Sequence, residues 1–371
     1  MKGNDIVIGR WEAASVIINA VIGQVILNFP RSMAEIGGNA GWIIAIYISI
    51  LAFLGFYLIQ KLYFRFEGKD LLEIGEIVGG SIGRIVIGVI LLAQFVLAVS
   101  ILLREFSEDF KVISLEASPI SFVSLFFIAG MIMGAYAGLE AIVRFSAIAV
   151  PIVIIAYILI LIGVAPDFDY MNLFPILGTG AFNIFGAGFL RISSFSSIVI
   201  LFMVYPSIKT HKIFKGAGYL GIGISAFFLI SSSLVYLLVF RYKYALENFL
   251  PIFQLSRLIN YGRFFQRIES VFLLTWAMVA FMYLSVSFYF TIYIFKKTFR
   301  LKYIKPLIFP FAILIFALSM LPENLMSAIS IESMFFRSAA WTVPFGVVIV
   351  LLVIARYVKR DSNKKNGRRI S

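Results

Sequence analysis

Helix-breaking and polar residues lie inside two segments of this chain that are otherwise apolar. The first segment contains Gly23-Gln24 and, shortly after, Pro30-Arg31. Glycine leaves the backbone without a side chain, and proline removes a backbone hydrogen-bond donor. In hydrocarbon a freed N–H or C=O group is costly unless a polar group meets it, so a broken helix is tolerated where it lines a protected cavity. The residues around Gly23 are therefore the first candidate ligand site.

A second irregular segment, residues 178–197, combines glycines, the cation Arg191 and a serine-rich stretch. Paired interrupted segments at corresponding positions in the two halves of a chain indicate an inverted-repeat transporter fold with a site near the bilayer midplane. The ends of half-helices aim partial charges at such a point. The alternative is that small residues such as Gly186 and Gly188 only allow helices to pack closely.

The composition places both segments in a membrane protein. The chain has 371 residues, of which 61% are hydrophobic, whereas soluble domains are about 45–50% apolar. It has no Cys and one His, which excludes disulfides and cysteine nucleophiles and leaves little room for metal chemistry. No nucleophile–base pair is evident, so we expect neither an enzyme nor a cofactor. The net charge of +13 is explained by membrane topology rather than by nucleic-acid binding.

Apolar stretches of about 20 residues cross a bilayer as helices, and ten are predicted. Their limits are about 11–36, 41–64, 84–109, 118–136, 139–163, 181–206, 216–241, 267–296, 303–321 and 338–358. Short amphipathic helices are expected at about Asp70–Ile82 and Pro251–Tyr261. The prediction is an all-α polytopic protein with one transmembrane domain over 1–358, divided into repeats at 1–163 and 164–358, and a basic tail at 359–371.

The distribution of basic residues predicts the orientation. Most of the 32 Lys and Arg residues fall on one side of the membrane, which is expected to be the cytoplasmic side. Ten spans place both termini there. The loop after span seven is an exception, with five basic residues on the other side. The basic tail is expected to contact anionic lipid, and docking of a protein is the alternative.

Several short motifs together resemble the spore germination permease family, the B subunit of nutrient germinant receptors. They are Asn28-Phe29-Pro30-Arg31 followed by Gly41-Trp42-Ile43, Leu173-Phe174-Pro175-Ile176-Leu177-Gly178 before span six, Pro206 at its end, and Arg267-Ile268-Glu269-Ser270 with Trp276 and Lys296-Lys297-Thr298-Phe299 in span eight. Each motif is weak alone, but their order and spacing cover essentially the whole chain. The family belongs to the amino acid–polyamine–organocation superfamily.

This resemblance implies a leucine-transporter-like fold of five plus five spans, with discontinuous spans one and six, in the inner membrane of the spore. It implies an A subunit and a lipoprotein C subunit as partners, and a pocket that senses a small, amino-acid-like nutrient. A secondary transporter for such nutrients is the alternative, and a ligand-opened conduit for ions or water is a third possibility. Carried over onto this sequence, the pocket residues are Ile22, Gly23, Gln24, Val25, Gln94, Ala98, Ser194, Phe195, Ser196, Met282 and Tyr283.

The chain departs from the superfamily pattern at the span-one break. Many relatives carry Gly-x-Gly there, where bare backbone N–H groups hold a carboxylate, but this chain has Gly23-Gln24-Val25. Many also carry a Glu shortly after the span-six break, which is missing from residues 197–200. Gln24 and Val25 are therefore the residues at which an altered ligand preference is expected.

Single polar groups within the spans have alternative roles. Arg191, about half-way along span six, would meet an anionic ligand group or a buried carboxylate, unless the span starts later and Arg191 lies near the interface. Gln94 would bind ligand or hold helices together. Arg31 and Glu35 are spaced i,i+4 and are expected to form a local ion pair.

Ion coupling has no evident carrier in the sequence. No Asp or Glu is expected in the middle of any span, which argues against a proton relay. Ser285 and Ser287 in span eight would either contribute to a sodium site or bond to their own helix backbone, and the second is expected.

Overall fold

The structure of the protein is a computed structural model that describes residues 6–260 and 268–367. The helices of the first half are α1 (Arg10–Leu27), α2 (Phe29–Gly37), α3 (Gly41–Tyr63), α4 (Leu71–Ser114), α5 (Ile120–Ala137) and α6 (Leu139–Gly163). Those of the second half are α7 (Ala181–Phe185), α8 (Val199–Val204), α9 (His211–Val239), α10 (Tyr242–Ala245), α11 (Pro251–Leu258), α12 (Ile268–Thr298), α13 (Ile308–Ser319), α14 (Leu325–Glu332) and α15 (Val348–Gly367).

Eight helical stretches in the described residues are long and apolar enough to cross a bilayer. This confirms the prediction of an all-α polytopic membrane protein. Helix α1 and the shorter apolar helix α13 occupy the two other predicted spans, the first and the ninth. Arg267, part of a predicted motif, and Tyr261, the predicted end of an amphipathic helix, lie outside the described residues.

Span one is interrupted, but not around Gly23 as expected. Helix α1 continues to Leu27, and the backbone leaves helical geometry at Asn28, with φ −145° and ψ 19°. Helix α2 then begins with Pro30 in its first turn. Pro30 has no N–H group to extend the α1 hydrogen-bond ladder, and its ring clashes with the preceding turn. A lone glycine costs a helix only about 1 kcal/mol, whereas proline costs about 3 kcal/mol, so the position expected from Gly23 was wrong.

Span six is interrupted over a longer distance. After the short helix α7, residues Ala187–Ile198 form a 3₁₀ helix of 12 residues, and α-helical geometry begins only at Val199. Because 3₁₀ runs longer than three or four residues are uncommon and often mark a hinge, this stretch is unusual. Serine side chains compete for backbone hydrogen bonds, which is consistent with the five residues Ser193–Ser197 lying within it.

One predicted helix is present, and one predicted boundary was wrong. The amphipathic helix expected at about Asp70–Ile82 is the first part of α4, and a kink at Gly79 and Gly80, where Gly80 has φ +59°, divides it from span three. The last span runs from Leu325 to Val358 rather than from about 338, with π-helical turns at Ser333–Arg337 and Val343–Val347. Its polar residues lowered the local hydropathy and were assigned to a loop.

Contacts between the helices bring the two interrupted spans side by side. Helix α1 is surrounded by α6, α9 and α12, and it also contacts the 3₁₀ stretch of span six. The Asn19 amide in α1 donates a hydrogen bond to the carbonyl of Val279 in α12 at 3.3 Å. The Ser193 hydroxyl accepts one from the backbone N–H of Trp341 at 3.3 Å. The first bond ties α1 to span eight, and the second ties the 3₁₀ stretch of span six to the last span.

Candidate ligand-binding site

Three adjoining cavities lie between spans one, three, six, eight and ten. The first, of about 20 Å³, is lined by Gln94, Phe95, Ala98, Ser196, Ser197, Val199, Ile200, Tyr283, Ser287 and Phe336. The second, of about 20 Å³, is lined by Gln24, Leu102, Ser193, Ser194, Ser196, Tyr283, Glu332, Phe336 and Arg337. The third, of about 20 Å³, is lined by Gln24, Asn28, Phe29, Ser32, Met33, Arg191, Ser194, Glu332 and Arg337. Their shared lining residues show that they are neighbours.

Seven of the residues proposed from the sequence line these cavities. They are Gln24, Gln94, Ala98, Arg191, Ser194, Ser196 and Tyr283. They come from four different spans, so the fold brings together residues that are far apart in the chain. Whether they bind a ligand stays a prediction.

The other five proposed residues lie outside the walls of these three cavities. Ile22, Val25 and Phe195 are each 1% exposed and belong to the hydrophobic core. Met282 is partly buried. Gly23 packs against Tyr283, because a Cβ atom on Gly23 would come within 2.8 Å of the Tyr283 Cδ1 atom. Its role in the structure is a close helix–helix contact beside the cavity.

The sequence reasoning missed an ion pair in the cavity walls. Arg337 forms a salt bridge with Glu332 and donates a hydrogen bond to the side-chain oxygen of Asn28. Asn28 is the residue at which span one is interrupted, so the side chain of Arg337 ties this break to span ten. Both charged residues fall in the segment that was assigned to a loop, and only a longer tenth span would have revealed them.

Arg191 lies in the wall of the third cavity, together with Glu332 and Arg337. Its Nε and Nη1 atoms are buried and have no hydrogen-bond partner among the described residues. A guanidinium group carries five N–H donors and no acceptor, so Arg191 retains free donors that face a cavity. This arrangement favours the interpretation in which Arg191 meets an anionic group.

Glu105 is a buried carboxyl group that the sequence reasoning did not consider. It lies in α4, is 1% exposed, and neither side-chain oxygen has a hydrogen-bond partner among the described residues. It follows Leu102, which lines the second cavity, by about one helical turn. The sequence placed Glu105 near the end of span three, but α4 continues to Ser114.

The remaining polar residues have simpler surroundings. Arg31 and Glu35 form the expected i,i+4 ion pair at 3.2 Å, and Arg31 also donates to the carbonyl of Leu246 at 2.7 Å. Ser287 lines the first cavity, whereas Ser285 packs against Gly134. Among the described residues, no group of three or more His, Cys, Asp and Glu side chains is placed to hold a metal ion.

The fold and the site define a polytopic membrane protein of transporter-like architecture, with small polar cavities where two interrupted spans meet. The family model described as "Spore germination protein" matches residues 8–328, and the chain belongs to this family. This match confirms the resemblance that the motifs indicated.

Relatives and solved structures agree with this assignment. The chain is 25% identical to spore germination protein YndE of Bacillus subtilis, over 94% of this chain and 96% of that protein. It is 28% identical to spore germination protein A2 of the same organism, over 81% and 83% of the two chains. The crystal structure of MhsT in complex with L-phenylalanine has a similar fold, with a TM-score of 0.69 at 16% identity, covering 95% of this chain and 89% of MhsT. The leucine-transporter-like fold is therefore confirmed.

Proposed function

We propose that this protein is the membrane-embedded B subunit of a spore nutrient germinant receptor, and that it senses a small nutrient in the cavities between spans one and six. The observation that carries the proposal is that polar side chains from both interrupted spans share the same cavity walls, with Gln24 from span one and Ser194 from span six. Membership of the spore germination protein family supports the receptor role.

The ligand is expected to be a small, amino-acid-like molecule whose carboxylate is held by side chains. Because α1 is helical through Gly23 and Gln24, the backbone N–H groups at these positions are used within the helix. They do not form the open cradle of a Gly-x-Gly break. The free donors of Arg191 in the third cavity supply the alternative anchor.

The response requires no chemical reaction. A ligand that binds better to one arrangement of the two broken spans than to another shifts the population toward that arrangement. By family resemblance, the partners that read this shift are an A subunit and a lipoprotein C subunit. The same resemblance favours the inner spore membrane, and the basic residues favour both termini in the cytoplasm.

A secondary transporter is the second candidate. The similarity to MhsT with bound L-phenylalanine favours it, since that structure has the same fold. The two candidates differ in whether bound ligand crosses the membrane.

The test begins with the purified full chain in lipid nanodiscs, screened against single amino acids by thermal unfolding, because a ligand that prefers the folded state raises the unfolding temperature. For an amino acid that stabilises the chain, Arg191→Gln should weaken binding by about 10- to 100-fold, the effect of losing a charged hydrogen bond of about 1.5–3 kcal/mol. The matched control is Arg144→Gln, which removes an exposed arginine paired with Glu140 in α6.

Liposomes containing the same protein separate the two candidates. Binding without uptake supports the receptor, and saturable uptake of the bound amino acid supports the transporter. Stabilisation by none of the amino acids, or unchanged affinity in Arg191→Gln, would contradict the proposed ligand site.

A further inference from the structure

Glu105 is a carboxyl group enclosed in the bundle without a hydrogen-bond partner among the described residues. It is 1% exposed, and both of its oxygens are buried. An isolated ionised carboxylate in an apolar interior is strongly disfavoured, and such a group takes up a proton instead. Within a membrane span this makes Glu105 a candidate for a function rather than for a packing role.

The charged neighbours of Glu105 come from the last span and from its own helix. Glu332 and Arg337 act on it from the last span, and Asp109 acts on it from α4. On α12 it interacts with the Tyr283 hydroxyl. Helices α5 and α13 also pack against α4 but contain no acidic or basic residue. Arg104, the residue before Glu105, is paired with Glu108 at 2.9 Å, so Arg337 is the cation that acts on Glu105.

Arg337 is already engaged by other groups. Its guanidinium pairs with Glu332 and donates to Asn28. Two buried carboxyl groups, Glu105 and Glu332, thus lie within electrostatic reach of the Arg337 guanidinium. In the structure the guanidinium is paired with Glu332 and not with Glu105. Two like charges in one site cannot both be ionised at low cost.

We propose that Glu105 is a proton-binding site, and that its proton determines which carboxylate Arg337 pairs with. With the proton on Glu105, Arg337 stays on Glu332 and Asn28, as the structure shows. When the proton leaves, the Glu105 carboxylate competes for the guanidinium and draws it away from the span-one break. Because Arg337 lines the second and third cavities, the proton changes the shape and the charge of the space proposed to hold the nutrient.

The experiment is infrared spectroscopy of the purified full chain in nanodiscs at neutral pH, with and without ¹³C-labelled glutamate. The expected result is a carboxylic-acid carbonyl band that shifts with the label, which Asp109 cannot produce. Its absence from the wild-type protein would overturn the proposal, and this reading requires no variant. It also requires no nutrient, so it is independent of the proposed function.

Three variants show which residue produces the carboxylic-acid carbonyl band. Glu105→Gln, which mimics the protonated side chain, should lose it, and Glu332→Gln should also lose it, because Arg337 is then free to pair with an ionised Glu105. The control Glu108→Gln removes a carboxylate that is paired with Arg104 at 2.9 Å and should keep the band. A band that survives Glu105→Gln overturns the site, and one that survives Glu332→Gln overturns the exchange of Arg337.

Discussion

Spans one and six are both interrupted, but they are interrupted in different ways. Span one leaves helical geometry at the single residue Asn28, and regular helix resumes at once. Span six has 3₁₀ geometry over the 12 residues Ala187–Ile198. A proline defines the first break sharply, whereas a run of serines spreads the second. The narrow break is contacted by a side chain from another span, Arg337, while the wide one brings its own polar groups to the cavity.

The strongest test of this difference is removal of Arg337. Arg337→Gln leaves Glu332 as a buried charge without its partner and leaves Asn28 without its donor. Breaking a buried ion pair in this way costs about 3–5 kcal/mol. We therefore expect a large decrease in the free energy of unfolding, measured by chemical denaturation in detergent.

Two controls accompany this measurement. The double variant Glu332→Gln/Arg337→Gln removes both charges and should recover most of the loss. Arg144→Gln breaks an ion pair whose side chains are 64% and 47% exposed, which should change the stability by less than about 1 kcal/mol. Equal effects of Arg337→Gln and Arg144→Gln would show that the span-one break does not depend on Arg337.

A smaller effect is expected from adding one methyl group beside the span-one break. In Gly23→Ala the new Cβ atom would meet the Tyr283 ring at 2.8 Å, and overpacking of this kind costs about 1–3 kcal/mol. In span six, Gly188→Ala would meet Ile44 at 3.0 Å, a contact that a flexible aliphatic side chain relieves more easily. Gly79→Ala, with nothing within 4 Å, is the neutral reference. A larger loss of unfolding free energy for Gly188→Ala than for Gly23→Ala would contradict this ranking.

The smallest effect is expected for single polar groups in the cavity walls. Gln24→Ala in span one and Ser194→Ala in span six should each weaken binding of a stabilising amino acid by about 1 kcal/mol, the usual size of one hydrogen bond. Isothermal titration in detergent measures this difference. Ser146→Ala is the control, because Ser146 is buried in α6 outside the three cavities. A loss confined to one of the two spans would show that the ligand contacts only that break.

The sequence was informative wherever the signal is local. Stretches of apolar residues predicted ten spans, and eight helical stretches of the described residues are long and apolar enough to cross a bilayer, since length and hydropathy are read directly along the chain. Arg31 and Glu35 were predicted as a pair because their i,i+4 spacing alone brings them together. Gln24, Gln94 and Tyr283 were placed near one site through the family resemblance, and the structure puts all three in cavity walls.

Local signals failed where a contact joins distant parts of the chain. Glu332 and Arg337 interrupt the apolar pattern and were read as a loop, although burial and mutual pairing allow them inside a span. Glu105 lies near the predicted end of span three, and hydropathy does not show that it is enclosed by neighbouring spans. Gly23 was expected to break a helix, but its absent side chain instead makes room for Tyr283.

The sequence by itself therefore determined that this is a polytopic helical membrane protein, the family it resembles, and which two spans are irregular. These properties follow from composition, periodicity and the restricted backbone of proline. All three can be read from neighbouring residues without knowledge of tertiary contacts. Only the tertiary structure decided that span one breaks at Asn28, that Arg337 bonds to this residue, and that Glu105 is enclosed in the bundle. Those outcomes depend on packing and on the cost of burying charge, which are set by side chains more than 200 residues apart in the chain.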